Sequence, residues 1–271
     1  MPVLSRADQV AIARHLNERL AGRVGLEVWT RKESGLVLTD RDPCTHCDEV
    51  LTLARELVSL HSAIAITPYD IDKFSDRARE EGIERAPTIR LRAGGAHLKF
   101  VGYPSGLLFP AFIDALVLAG ARATPLTNES REVVQHLPEP VRLELLVAPY
   151  DGYSAYMLRL AIALGIESHD IDVTITEMAE FPILAAQRSV TEVPVVIING
   201  RRYIGIFTEA DVVEQMRRIV SGDMEPVIRE RVLTTPFVTA EEAQRLAAQA
   251  QASQPPPPPP ASPGGLFIPG R

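Results

Sequence analysis

The chain of 271 residues is long enough for two small domains, and a hydrophobic fraction of 46% supports ordinary cores. A formal net charge of -7, with no basic stripe, excludes non-specific nucleic-acid binding, which draws its affinity from Lys and Arg on phosphates. The longest apolar stretch, residues 107–121, contains Pro110 and Asp114 and is too short for a membrane span; residues 1–12 lack the cationic start and apolar run of an export signal.

A cytoplasmic protein is therefore expected. Structural disulfides are rare in that compartment, which draws interest to the two cysteines, Cys44 and Cys47.

Residues 5–20 read as an opening helix, with Ile12, Ala13, Leu16 and Leu20 on one side and Ser5 with Asp8 as its capping signal. Strands are expected at 26–29 and 36–39 around a polar turn. After Cys47 the apolar positions Val50, Leu51, Leu53, Ala54, Leu57 and Val58 recur at helical spacing. A β-like run at 64–67, a polar helix at 73–81 and a strand after Pro87 follow. A hairpin at Gly94-Gly95 returns through 98–101, and a helix at 108–119 closes the unit.

A second unit repeats this order. The expected elements are a helix at 127–134 in the connection, a strand at 142–147, a helix at 154–164 ended by Gly165, and a strand at 171–175. A helix at 178–188 with Pro182 in its first turns, a strand at 195–198, the hairpin signal Asn199-Gly200, a return at 202–206 and a helix at 209–219 complete it. Cys44 and Pro87 are 43 positions apart, and so are Asp151 and Pro194. Behind each proline comes an aromatic-x-Gly, Phe100-Val101-Gly102 and Tyr203-Ile204-Gly205. A duplicated unit explains this better than chance. Beyond Ser221, Thr239 and Glu242 form a capping box before an Ala/Gln-rich helix, and Pro255 to Pro260 impose an extended spacer ahead of the apolar tip Leu266-Phe267-Ile268.

Cys44-Thr45-His46-Cys47 has the layout of a thiol pair at a strand-to-helix junction. Near a helix N-terminus the backbone N–H groups and the dipole favour a Cys44 thiolate, and Cys47 can attack a mixed disulfide formed there. A protonated His46 adds positive charge, while Asp42, Asp48 and Glu49 oppose it. Zinc would need further ligands, and no second cysteine pair or paired histidines exist. Two buried structural thiols are the blander reading.

With these residues in view the chain resembles the tandem glutaredoxin-like protein disulfide oxidoreductases of archaea and bacteria. It is more distantly similar to the N-terminal electron-transfer domain of the alkyl hydroperoxide reductase flavoprotein. The landmarks are Asp42-Pro43-Cys44-Thr45-His46-Cys47, Arg85-Ala86-Pro87-Thr88, Phe100-Val101-Gly102-Tyr103-Pro104 and Val193-Pro194-Val195-Val196, over residues 4–220. The resemblance implies an α/β fold of two tandem thioredoxin-like domains, each a central mixed sheet flanked by helices, plus a flexible Pro-rich tail. It implies domains at 1–122 and 123–220 with an extension at 221–271.

It further implies Cys44 as nucleophile, Cys47 as resolving thiol, and Thr45 and His46 as supporting residues. Pro87 is then a cis-proline that exposes the Ala86 backbone for pairing with an extended substrate; without the resemblance, a trans proline opening a strand is the alternative. The second motif is replaced by Asp151-Gly152-Tyr153-Ser154, where Asp151 and Ser154 keep only helix-capping chemistry. That unit is then a scaffold, or a binding platform through Pro194, with scaffold preferred. The buried acid that thioredoxins place before the first cysteine falls here on Leu38, with Asp40 as a substitute.

The expected activity is thiol–disulfide exchange on protein disulfides, or electron relay between a thiol reductase and a peroxidase, with no metal and no cofactor beyond the redox-active Cys44–Cys47 pair. Competing readings are a non-catalytic adaptor recruiting a partner through its C-terminal tail and an iron–sulfur scaffold held through Cys44.

Overall fold

The computed structural model describes residues 2–32, 42–223, 225–227 and 233–252. The strand expected at 36–39, the positions Leu38 and Asp40, and the Pro-rich tail with its apolar tip lie outside the described residues.

The amino-terminal half opens with α1 (Arg6–Arg19), which Ser5 caps by accepting the Asp8 amide and which turns Ile12 and Leu16 inward. It then runs β1 (Val24–Thr30), α2 (Cys47–Leu60), β2 (Ile64–Asp70), α3 (Ser75–Glu80), β3 (Thr88–Arg92), β4 (His97–Val101) and α4 (Leu108–Ala121). After α5 (Asn128–Gln135) the pattern returns as β5 (Val141–Val147), α6 (Gly152–Glu167), β6 (Ile171–Glu177), α7 (Pro182–Gln187), β7 (Glu192–Val193), β8 (Val195–Ile198), β9 (Arg201–Ile204) and α8 (Glu209–Val220). β10 (Thr235–Pro236) and α9 (Ala240–Ala252) follow.

The order of strands repeats head to tail. One sheet of eight runs β2-β1-β3-β4-β6-β5-β8-β9. In each half the first strand is parallel to the second and antiparallel to the third, and the last two form an antiparallel hairpin. The halves join where β4 pairs in parallel with β6, from His97 opposite Asp172 to Val101 opposite Thr176, with Lys99 Nζ 3.3 Å from Asp172. One large apolar cluster crosses this seam, taking Leu98, Phe100 and Phe112 from one half and Val173, Ile175 and Leu164 from the other, and a smaller one joins Val101 to Leu146 and Met178.

β1 is the central first strand itself, since it carries both β2 and β3. The extra residues before the cysteines therefore follow that strand. Fourteen positions separate Thr30 from Cys44, whereas four separate Val147 from Asp151. Buried Glu27 on β1 is held by Arg77, Arg90 and Arg92 at 3.1–3.2 Å.

Three expectations need correction. Gly165 does not end its helix, because α6 continues to Glu167. A β-carbon at Gly165 would stand 2.6 Å from Val173 Cγ2 and 2.7 Å from Leu98 Cδ2, so the residue is there for close helix–sheet packing. The helix expected at 178–188 is two pieces, a 3-10 turn Met178–Glu180 and then α7, with Pro182 at the first helical position. Proline disfavours helical backbone in the residue before it, and Phe181 accordingly sits at φ -121°, ψ 67°. The helix expected at 73–81 is the shorter α3. Among the described residues no helix is long and apolar enough to cross a membrane.

Candidate functional site: the cysteine pair and its second-unit counterpart

Cys44 and Cys47 are joined as a disulfide, with Cα atoms 5.5 Å apart. α2 begins only at Cys47, with His46 as its N-cap, so Cys44 lies on the turn leading into the helix. The two sulfurs face different surroundings. Cys44 is half-buried, whereas Cys47 is 5% exposed and packs with Trp29, Ile71, Ile83 and Ala86. The backbone N–H of Arg31 donates to Cys47 Sγ at 3.0 Å.

The Ala86–Pro87 bond is cis, and Ala86 shares the apolar cluster that Cys44 and Cys47 enter, so the proline loop faces the pair. A cleft of ≈ 670 Å³ opens beside the disulfide, walled by Tyr69 and Phe74 and flanked by Lys73 and Asp70. Thr45 is exposed at the rim.

The second unit reaches into this site. Asp42 spends its carboxylate on the amides of Ile183 and Leu184 at the start of α7, at 2.8 and 3.1 Å, which ties the loop carrying Cys44 to the second unit. His46 stacks on Tyr103 and holds Nδ1 3.3 Å from Glu180 Oε1. The other Glu180 oxygen accepts the Tyr103 amide at 2.7 Å. The Glu180 side chain is 1% exposed, and among the described residues neither its Oε1 nor His46 Nδ1 has a hydrogen-bond partner elsewhere. The Glu180 carboxylate raises the His46 pKa above its usual value, against the lowering effect of burial; Glu49 and Glu177 add to the rise. Glu177, buried beside them, is pushed up to about 8, chiefly by desolvation.

This acidic pair was not foreseen from sequence. Its members belong to the second unit, and only their burial next to the motif marks them out.

The counterpart site in the second unit keeps the frame and loses the sulfurs. Val193–Pro194 is also cis, and the Gly102 and Gly205 amides donate to Pro87 and Pro194 carbonyls at 2.8 and 2.9 Å. Asp151 caps α6 by accepting the Tyr153 and Ser154 amides, and the Ser154 hydroxyl accepts the Ala148 amide at 3.2 Å. Asp151 thus caps the helix, whereas the Ser154 side chain ties α6 back to Ala148, the residue after β5. The edge before Pro194 is not open, because β10 pairs with it antiparallel, Thr235 opposite Val193 and Pro236 opposite Glu192.

Two copies of a four-stranded mixed sheet with flanking helices and a cis-proline facing a helix start define a tandem thioredoxin fold. No protein-family model matches the sequence, and neither does any curated protein. Among solved structures, the chain is similar to a protein disulfide oxidoreductase from Aeropyrum pernix. The TM-score is 0.72 at 22% identity, over 83% of this chain and 97% of that one. It is also similar to the alkylhydroperoxide reductase AhpF of Enterococcus faecalis, with a TM-score of 0.69 at 18% identity over 79% of this chain and 99% of that one.

Proposed function

We propose that the protein is a thiol–disulfide oxidoreductase, acting on protein disulfides or relaying electrons between a thiol reductase and a peroxidase in the cytoplasm. The observation that carries this reading is the asymmetry of the Cys44–Cys47 disulfide. Cys44 is only half-buried, whereas Cys47 is buried at the start of α2, with the cis-proline loop alongside. The names of the two structural neighbours support it.

In the reducing direction the Cys44 thiolate attacks a substrate disulfide, forming a mixed disulfide and expelling one substrate thiolate, which takes up a proton. Cys47 then loses its proton and attacks Cys44 Sγ. The second substrate thiol leaves, and the Cys44–Cys47 bond is restored, so two electrons pass to the substrate. His46 stands beside the pair with Glu180 against its ring, which raises its pKa, and the Arg31 amide is placed to hold negative charge on Cys47. Thr45 and the Ala86 backbone line the approach.

The test is reduction of insulin disulfides with dithiothreitol as donor. The unaltered chain turns over, Cys44→Ser abolishes turnover, and Cys47→Ser accumulates the mixed disulfide. Equal turnover by Cys44→Ser removes the enzymatic reading.

A further inference from the structure

We propose that the second unit keeps a peptide-docking groove on Asp151 and the edge before Pro194, and that residues 233–238 of this same chain are its ligand. The segment is held along its length. Ile206 donates its amide to the Leu233 carbonyl at 3.1 Å, and Phe237 donates to Thr191 at 2.9 Å. The Thr234 hydroxyl meets Glu192 at 3.0 Å. Tyr150 closes the far end, its hydroxyl accepting the Val238 amide at 2.7 Å and donating to the Val238 carbonyl at 3.1 Å. A strand pair of two residues is too short to hold itself, so these contacts and the packing of Phe237 against the cluster of Met178, Phe181 and Val193 fix it.

The central contact identifies the groove. Thr235 donates its hydroxyl to Asp151 Oδ1 at 2.7 Å. Asp151 stands as far before its cis-proline as Cys44 does before Pro87, 43 positions in each case. Thr235 therefore occupies, relative to its own unit, the place that a group facing Cys44 would take in the first. The corresponding first-unit edge, Glu84 to Ala86, pairs with no strand among the described residues, and a pocket of ≈ 130 Å³ lies along it.

One groove carries a paired strand and the other pairs with none among the described residues. The ligand class of the filled one is an extended peptide with a β-hydroxy residue against Asp151, then proline, then an aromatic. With no sulfur on the protein side, docking there is non-covalent. Occupation in cis leaves exchange substrates to the first unit and fixes where α9 leaves the body. It stands independently of what Cys44 does.

The test uses the full chain. With Cys44→Ser and Cys47→Ser removing the native thiols, Asp151→Cys combined with Thr235→Cys is treated with oxidised glutathione. The expected product is an internal disulfide: two hydrogens are lost from the protein, two reduced glutathiones form, and the two cysteine-bearing peptides stay joined on digestion. In the unaltered chain the Phe237 and Val238 amides are expected to exchange at least about tenfold more slowly than in a free peptide of residues 233–239. Thr235→Glu, which sets like charges face to face, should release them. A labelled 233–239 peptide should then bind that variant at least about tenfold more tightly than the unaltered chain. Glutathione adducts without the internal link, peptide-like exchange in the unaltered chain, or equal peptide binding by both chains would each overturn the proposal.

Discussion

A carboxylate closed off from water is costly unless something positive or hydrogen-bonding meets it. Glu180 meets the Tyr103 amide with one oxygen and His46 with the other, so its environment and the protonation of His46 are one problem. Glu180→Gln is expected to lower the His46 pKa, read from the imidazole proton shifts in an NMR titration; an unmoved pKa would mean the contact is absent in solution. A histidine raised by its partner stabilises the fold fully below its unfolded value of 6.5, and that contribution fades as pH climbs through the folded value. Glu177, raised from 4.5 to about 8, works in the same sense, because the folded chain keeps a proton that the unfolded chain has given up. Stability should therefore fall as pH rises between those two values, by on the order of a few kcal/mol. Glu177→Gln should flatten the fall, measured as urea midpoints across that window. His46 was legible as a motif residue. Its partner was not, because a Met-Ala-Glu-Phe run deep in the other unit carries no local sign of which side chain it will meet.

The duplicated frame was legible at the scale of elements because local chemistry sets it. The capping residues Ser5 and Thr239 act on amides three positions away, and the 43-position proline spacing with its aromatic-x-Gly return shows as a repeat along the chain. Gly165 failed as a stop signal for the opposite reason, since its requirement comes from Leu98 and Val173 on two different strands. That reading has a measurable consequence. Alanine should gain about 1 kcal/mol of helix propensity at an interior glycine. Against this, its β-carbon would press on two fully buried side chains, and overpacking of this kind costs about 1–3 kcal/mol. Gly165→Ala is therefore expected to destabilise the protein by about 1 kcal/mol net in urea unfolding. A stabilised variant would show that α6 has room to move off the sheet.

The whole molecule depends on the seam between β4 and β6, which no pattern in the sequence announces. Each half reads as a complete unit, and nothing local says which edges will meet. The five facing residue pairs, the Lys99–Asp172 contact and an apolar cluster common to both halves make the seam part of the core. Separable domains show polar, smaller interfaces and independent unfolding, whereas a shared core ties the transitions together. The chain offers a direct probe, because Trp29 is its sole tryptophan, lies fully buried in the first unit and stacks on Tyr69 at 4.5 Å. Its fluorescence follows the first half, while far-ultraviolet circular dichroism follows the helices of both. In denaturant, with the Cys44–Cys47 disulfide kept intact, the two signals should trace one coincident transition. If tryptophan fluorescence changed at a lower denaturant concentration than the helical signal, the halves would be coupled only weakly. The eight strands would then be two sheets in contact, and the reach of Glu180 into the cysteine site would have to be maintained by its own few contacts.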